Sequence, residues 1–330
     1  MPSVRFTHEK VVTRDTAGSC FSYLLVRRCT QIDNFWSALV NPGSNEILWQ
    51  IRFPRVTAAV IVGAALGVAG LLAQGACNNA VAEPAILGTA AGASFGAVLA
   101  ISSGVVQVGS LGAIASGTVG ALLTTALTFR LASIRGSLSS FTLIIVGIAI
   151  SAMFTSFVGI VSAMASRSDA RSISFWSLGS LALITADNLV GVAITTVIGL
   201  AIAYLIAPSL DRLSLGDSTA FHLGVNVSRI RLIALIALSV LAGGAVSTVG
   251  SIAFIGLAAP HIARFIYGPS HRLLVAHSAI IGGLIVVVAD TLSRTIAQPN
   301  ELPIGLATAL LGAPVLIALV AFKNNVWKTQ

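Results

Sequence analysis

The chain has 330 residues, 56% of them hydrophobic and 9% charged, and a mean hydropathy of +0.94. A soluble domain carries about 25% charged residues, so this composition excludes one and calls for a lipid-embedded protein. The formal charge of +8 does not mark a nucleic-acid binder, because the arginines are scattered at the ends of apolar runs instead of gathered on one face; it reads as membrane topology.

Residues 1–50 come first and do not fit a spanning pattern. Arg5, Glu9, Lys10, Arg14, Asp15, Arg27, Arg28 and Asp33 divide them into apolar pieces no longer than TAGSCFSYLLV, too short to cross a bilayer. Basic residues follow this apolar stretch as well as precede it, unlike a signal peptide. From Val56 onward, apolar runs recur at the length of about 20 residues that the hydrocarbon core demands. The alternating pattern of barrel strands is absent, so spanning α-helices are expected and the fold class is an all-α integral membrane protein. The periodicity predicts nine helices, near 56–77, 85–106, 108–129, 141–165, 188–207, 230–250, 252–266, 273–296 and 303–322, with a shorter apolar piece at 172–182. Under this order, the loops Arg130 to Arg135, Arg212 to Arg231, Arg264 to Arg272 and Lys323 to Lys328 share one side and carry most of the Lys and Arg. That side is read as cytoplasmic. Arg52, Arg55, Arg167, Arg171 and Arg294 fall on the other side, against this bias. Headgroup contact or pairing with Asp169 accounts for Arg167 and Arg171.

The residues that carry chemistry narrow the function. ATP hydrolysis would need GxxxxGK[ST], and Lys10, Lys323 and Lys328 stand in no such setting, so the chain has no nucleotide site of its own. An ion-coupled secondary transporter usually couples to protons or Na⁺ through intramembrane acids or unwound helices. Asp290 lies deep in an apolar run, but Arg294 follows four residues later on the same helical face, which favours a salt bridge over a proton relay. Cys20, Cys29 and Cys77 show neither CxxC nor metal-ligand spacing and are read as bystanders. His222, His261, His271 and His277 are too dispersed for a metal site, so neither a metal nor a cofactor is expected.

Three further patterns stand out. LDRLSLGDSTAFHLGVNVSRIR, residues 210–231, interrupts the apolar pattern; Leu213, Leu215, Ala220 and Leu223 are expected to line one face of two short helices broken near Gly216 and Gly224. This surface suits a cytoplasmic partner. Gly63 with Gly67, and Gly88 with Gly92 and Gly96, are four apart, so each set is expected to form one helical stripe that lets backbones approach closely. EPAILGTAAGA at 83–93 and ELPIGLATALLGA at 301–313 share an acid, a proline and a Gly-Ala ending on opposite sides of the membrane, a hint of an inverted repeat.

From about Ile51 to Phe322 the successive segments IRFPRVTAAVIVGAALGVAGLLAQ, NNAVAEPAILGTAAGASFGAVLA, FWSLGSL, LGDSTAFHLGVNVSRIR, GSIAFIGLAAPHIAR and ADTLSRTIAQPNELPIGLATALLGAP resemble motifs of a known family. They are similar to the permeases for iron–siderophore, haem and vitamin B12 uptake, the FecCD-type ABC importers. The resemblance implies a ten-helix permease in the bacterial cytoplasmic membrane that pairs with a second copy or a paralogue. It also implies two ATPase subunits on the cytoplasmic side, an extracytoplasmic binding protein, contact with membrane lipid, and no nucleic acid. Carried over onto this sequence, Leu215, Gly216, Asp217, Ala220, Leu223 and Gly224 match the ATPase-coupling segment. Arg52, Arg55 and Arg294 match arginines that pair with carboxylates on the binding protein. NAVAEP matches the family's NPLA[DE]P loop at the cytoplasmic gate, with Ala80 in place of its proline and Val81 in place of its leucine, so Asn79 and Val81 are the expected gate residues. Members open with an apolar first helix that residues 1–50 lack, and the expectation is that an upstream start or reading frame encodes it. The domain division is then residues 1–50, an atypical amino-terminal segment, and 51–330, the permease. The expected cargo is a ferric siderophore, with haem or vitamin B12 as alternatives within the same mechanism and an ion-coupled secondary transporter as the alternative of another class.

Overall fold

The computed structural model describes residues 47–314, apart from 108, 135–138, 183 and 297–299. The chain divides into two compact units, Met1–Trp49 and Gln50–Gln330. The expectations for residues 1–46 and for the loop Lys323 to Lys328 lie outside the described residues, as does the Asp169 side chain invoked for Arg167 and Arg171.

A π-helical turn, Ile47–Arg52, runs into helix α1, Phe53–Cys77. There follow α2 Thr89–Ser102, α3 Leu111–Ser133, α4 Ser140–Met164, α5 Arg167–Ser177, α6 Ala186–Leu213, α7 Asp217–His222, α8 Val227–Val249, α9 Ile255–Tyr267, α10 His271–Ile296 and α11 Ile304–Pro314. The all-α class is as expected. The starts follow from local chemistry. Pro54 stands in the first turn of α1, where a missing N–H costs nothing. Ser110, Ser139 and Asn226 cap α3, α4 and α8 by accepting from the backbone N–H of Ala113, Thr142 and Arg229 at 3.2, 3.1 and 3.0 Å.

The span count is a correction. Among the described residues six helices are long and apolar enough to cross a membrane: α1 with its leading turn, α3, α4, α6, α8 and α10. α2 has 14 residues and α9 has 13, so each rises only about 20 Å where about 30 Å is needed. The run near 85–106 loses its first turn because Pro84 and Gly88, the latter at φ +88°, hold residues 84–88 in turns. The run near 252–266 starts late because Phe254 takes φ +68° ahead of α9. The run near 303–322 is described only through Pro314. Conversely, α6 runs past Pro208 to Leu213, so Asp211 and Arg212 are helical and not loop.

α1 and α8 form the centre, with 72% and 78% of their most apolar windows buried, whereas α4 buries 11%. Small residues make the centre possible. A side chain at Gly63 or Gly67 would collide with the backbone of α10 at Gly282 or Ser278, so this pair does form the expected stripe. The second set differs: Gly92 and Gly96 face Thr124, Gly120 and Ser116 of α3, but Gly88 lies before α2 and supplies a positive φ instead.

Candidate functional site

Three polar joints interrupt this apolar bundle, one at each end of α1 and one between the two short helices. At the start of α1, the Arg55 guanidinium donates from Nε and Nη2 to Asp290 at 3.0 and 2.8 Å, and from Nη1 and Nη2 to Glu301 at 3.0 and 3.0 Å. Arg294 reaches Asp290 at 3.1 Å, the i,i+4 salt bridge expected from spacing. Asp290 thus receives two arginines at 2% exposure, while Glu301, at 41%, closes the joint from the solvent side. Arg55 had been expected to face outward to a partner; here two internal carboxylates occupy its fork. Neither partner was found by sequence reasoning, because Arg55 and Asp290 are 235 residues apart.

The middle joint explains Glu83 and Pro84. Glu83 Oε1 accepts from the Phe254 backbone N–H at 2.9 Å, so a carboxylate caps the start of α9, where exposed N–H groups favour negative charge. The loop's own carbonyls are met from α3 and α4: Thr128 donates to the Leu87 carbonyl at 3.3 Å and Ser151 to that of Ala85 at 2.7 Å. Inside α9, Pro260 has no N–H to give the Gly256 carbonyl. The Gln74 amide donates to that carbonyl at 3.4 Å and in turn accepts from Arg264 at 3.2 Å. Gly70 and Gly256 permit the approach, since a side chain on Gly70 would strike the Gly256 carbonyl. Gln74 touches the proline-broken helix in space but lies 182 residues from Gly256 in sequence, so it left no motif to read. The expected gate residues sit on this loop. Asn79 accepts from the Val81 N–H at 3.0 Å, a local side-chain turn, and leaves Val81 exposed.

The inner joint lies where α1 ends. Arg231, fully buried at 2% exposure, donates from Nε to the Ala76 carbonyl at 2.9 Å, and from Nη2 to Ser140 at 3.1 Å and to Asp217 at 2.9 Å. Asp211 beside it accepts from the His271 backbone N–H at 2.8 Å and pairs with its ring at 2.7 Å. The coupling segment contains one short helix, α7, and not two, because its first residues belong to α6 and its last to α8. Its predicted face also splits: Leu213 and Ala220 are buried, whereas Leu215 and Leu223 are exposed together with Phe221, which the sequence reading missed. Gly216 at φ +99° and Gly224 at φ +79° bound α7 with open space about their Cα atoms. Among the described residues no cluster of His, Cys, Asp or Glu fits a metal ion.

Comparison with known proteins places this arrangement. The profile of the FecCD transport family matches residues 16–322, beginning upstream of the motifs that start at Ile51. The chain belongs to the FecCD transport family. Within that family it is 38% identical over 278 residues to the iron(3+)-hydroxamate import system permease FhuB of Bacillus subtilis, covering 84% of this chain and 71% of that one. It is 36% identical to the hemin transport permease HmuU of Yersinia pestis, covering 86% of each. The vitamin B12 import permease BtuC of Vibrio cholerae is 33% identical, with 93% and 91% covered. The fold matches a solved inward-facing metal-chelate-type ABC transporter with TM-score 0.75 and 28% identity over 86% of this chain and 89% of that one. This FecCD chain is therefore a multi-pass permease of an ABC importer in the cytoplasmic membrane, of the class that handles iron chelates, haem or vitamin B12.

Proposed function

We propose that this FecCD permease moves a ferric siderophore inward, powered by two separate ATPase subunits and fed by an extracytoplasmic binding protein. The observation that carries the cargo is the 38% identity to an iron(3+)-hydroxamate permease. The 36% identity to a hemin permease supports haem as the second reading. The chelator, not the protein, holds the iron in either case, consistent with dispersed histidines. A second permease copy is supported by α4, whose apolar surface is mostly uncovered in the single chain.

The site residues take roles within this reading. Leu215, Phe221 and Leu223 are apolar and exposed around α7 and suit insertion into an ATPase groove, with Gly216 and Gly224 as its pivots. Asn79 and Val81 form the inner gate. At the other end, Arg52 and Arg294 receive the binding protein's carboxylates, and Arg55 braces them from behind through Asp290 and Glu301. Charge pairs of this kind speed encounter and fix register more than they add affinity.

The deciding experiment is uptake by proteoliposomes holding the permease with its ATPase and binding-protein partners. Labelled ferric hydroxamate should enter with ATP and be displaced by unlabelled siderophore but not by hemin or cobalamin. Displacement by hemin alone replaces the cargo, and uptake driven by an ion gradient without ATP overturns the ABC mechanism. Docking is read separately: Arg294→Glu should slow binding-protein association, and a Glu→Arg change on the binding protein should restore part of it.

A further inference from the structure

We propose that Arg231 is the positioning residue that transmits movement of α7 to the gate loop, a step that rests on the coupling reading of α7 above. The argument begins with what α7 is tied to. It is six residues long, bounded by two glycines at positive φ whose surroundings are open, so it is built to swing as a unit. Asp217 is its first residue, and the Asp217 carboxylate is joined to Arg231 at 2.9 Å. Arg231 is among the largest fully buried side chains of the chain.

Its position is costly by local rules. Arg231 is the fifth residue of α8, and the burial of its charge has to be offset by bonds to the charged form. Three of those bonds lead to three different elements. The Nε donor goes to the Ala76 carbonyl, one of the last carbonyls of α1 that has no partner within the helix. Asn78 then turns the chain through φ +44°, and the Asn79–Val81 turn follows directly. Nη2 is shared between Asp217 on α7 and Ser140 at the start of α4. One planar guanidinium therefore connects the coupling helix, the end of α1 just before the gate loop, and the helix that is least covered by the rest of the chain. A planar fork with fixed donor directions conveys displacement in a way that a flexible ammonium does not. The exposed half of Asp217 leaves the arrangement adjustable from the ATPase side, while the buried half stays held.

The test uses the assembled transporter with its ATPase subunits in nanodiscs. Val81→Cys is introduced in a chain whose Cys20, Cys29 and Cys77 are replaced by alanine, and the rate of thiol labelling is measured nucleotide-free and with ATP and vanadate. The parent should show a nucleotide-dependent ratio of rates. Arg231→Lys and Asp217→Ala should each shrink that ratio about threefold or more, within the range one coupling residue carries, while the ATPase subunits still co-purify. Asp217 is half exposed, so Asp217→Ala keeps the test decisive if Arg231→Lys assembles poorly. A merely structural Arg231 lowers the unfolding temperature and leaves the ratio intact, and that result overturns the inference alone. A parent whose Val81 site ignores nucleotide overturns the coupling reading and this inference with it. Gly224→Val separates the two further: it should abolish the ratio by stiffening a pivot even with the Arg231 bonds intact.

Discussion

The two ends of α1 each hold an arginine largely withdrawn from solvent, 11% exposed at Arg55 and 2% at Arg231, and the counter-charges are placed in different ways. Arg55 meets Asp290, which is 2% exposed, and shares it with Arg294. Arg231 meets Asp217, which is 50% exposed, and also donates to a hydroxyl and a main-chain carbonyl. In the first joint both ions of the central pair have left water, so neither can be lost without stranding the other. In the second, only the arginine has left water: the acid keeps half its hydration, and a hydroxyl and a carbonyl also hold the guanidinium. The outer joint holds α1, α10 and the lead-in of α11 together; the inner joint ties the ends of α1, α4 and α7 to α8 through one guanidinium.

The largest expected effect breaks the outer joint. Asp290→Ala leaves Arg55 and Arg294 facing each other across a site that has lost its buried anion, and should destabilise the purified permease by about 4 kcal/mol, the scale for removing one partner of a buried pair. Thermal unfolding in detergent measures it. If Asp290→Ala unfolds within about 1 kcal/mol of the parent, Glu301 alone suffices and the contrast between the ends is void.

Arg231→Met ranks second. Methionine refills most of the volume and Asp217 returns to water, so the chief loss is the Ala76 carbonyl left without its donor, about 2 kcal/mol. Transport should fall much further than stability does. Equal loss in both would mean that the inner joint holds the bundle in the same way as the outer one.

The contrast also shows what a sequence of this kind discloses. Asp290 and Arg294 were legible because helical spacing puts them on one face. Gly63 and Gly67 were legible for the same reason. Gly88 was not, since the same four-residue spacing continues into a turn where glycine is needed for its positive φ. The chain breaks at Gly216 and Gly224 could be read from the sequence, yet Arg231 could not, because its decisive acceptor is the Ala76 carbonyl and a main-chain atom leaves no letter in the sequence. Gln74 was hidden likewise: its role exists only because Pro260 frees the Gly256 carbonyl 182 residues away. The short spans misled because hydropathy counts apolar residues whether a helix or a turn uses them.

The smallest expected effect comes from Glu301→Gln, which separates the exposed half of the outer joint from its buried half. Glu301 binds Arg55 through both oxygens at 3.0 and 3.0 Å, a geometry that favours a strong pair. Its 41% exposure works the other way, since water and salt screen the carboxylate. Glutamine keeps one acceptor for Nη1 and removes the charge, while Asp290 still neutralises the guanidinium from the buried side. The loss should therefore stay below about 1 kcal/mol, the scale of exposed ion pairs. Salt sharpens the reading. The parent should lose part of this increment between low and high ionic strength, and Glu301→Gln should show a flatter dependence, because the only charge removed is the one that salt can reach. A Glu301→Gln permease that loses as much stability as Asp290→Ala, with unchanged salt dependence, would mean that the joint is held from its solvent side and that Asp290 is the auxiliary partner.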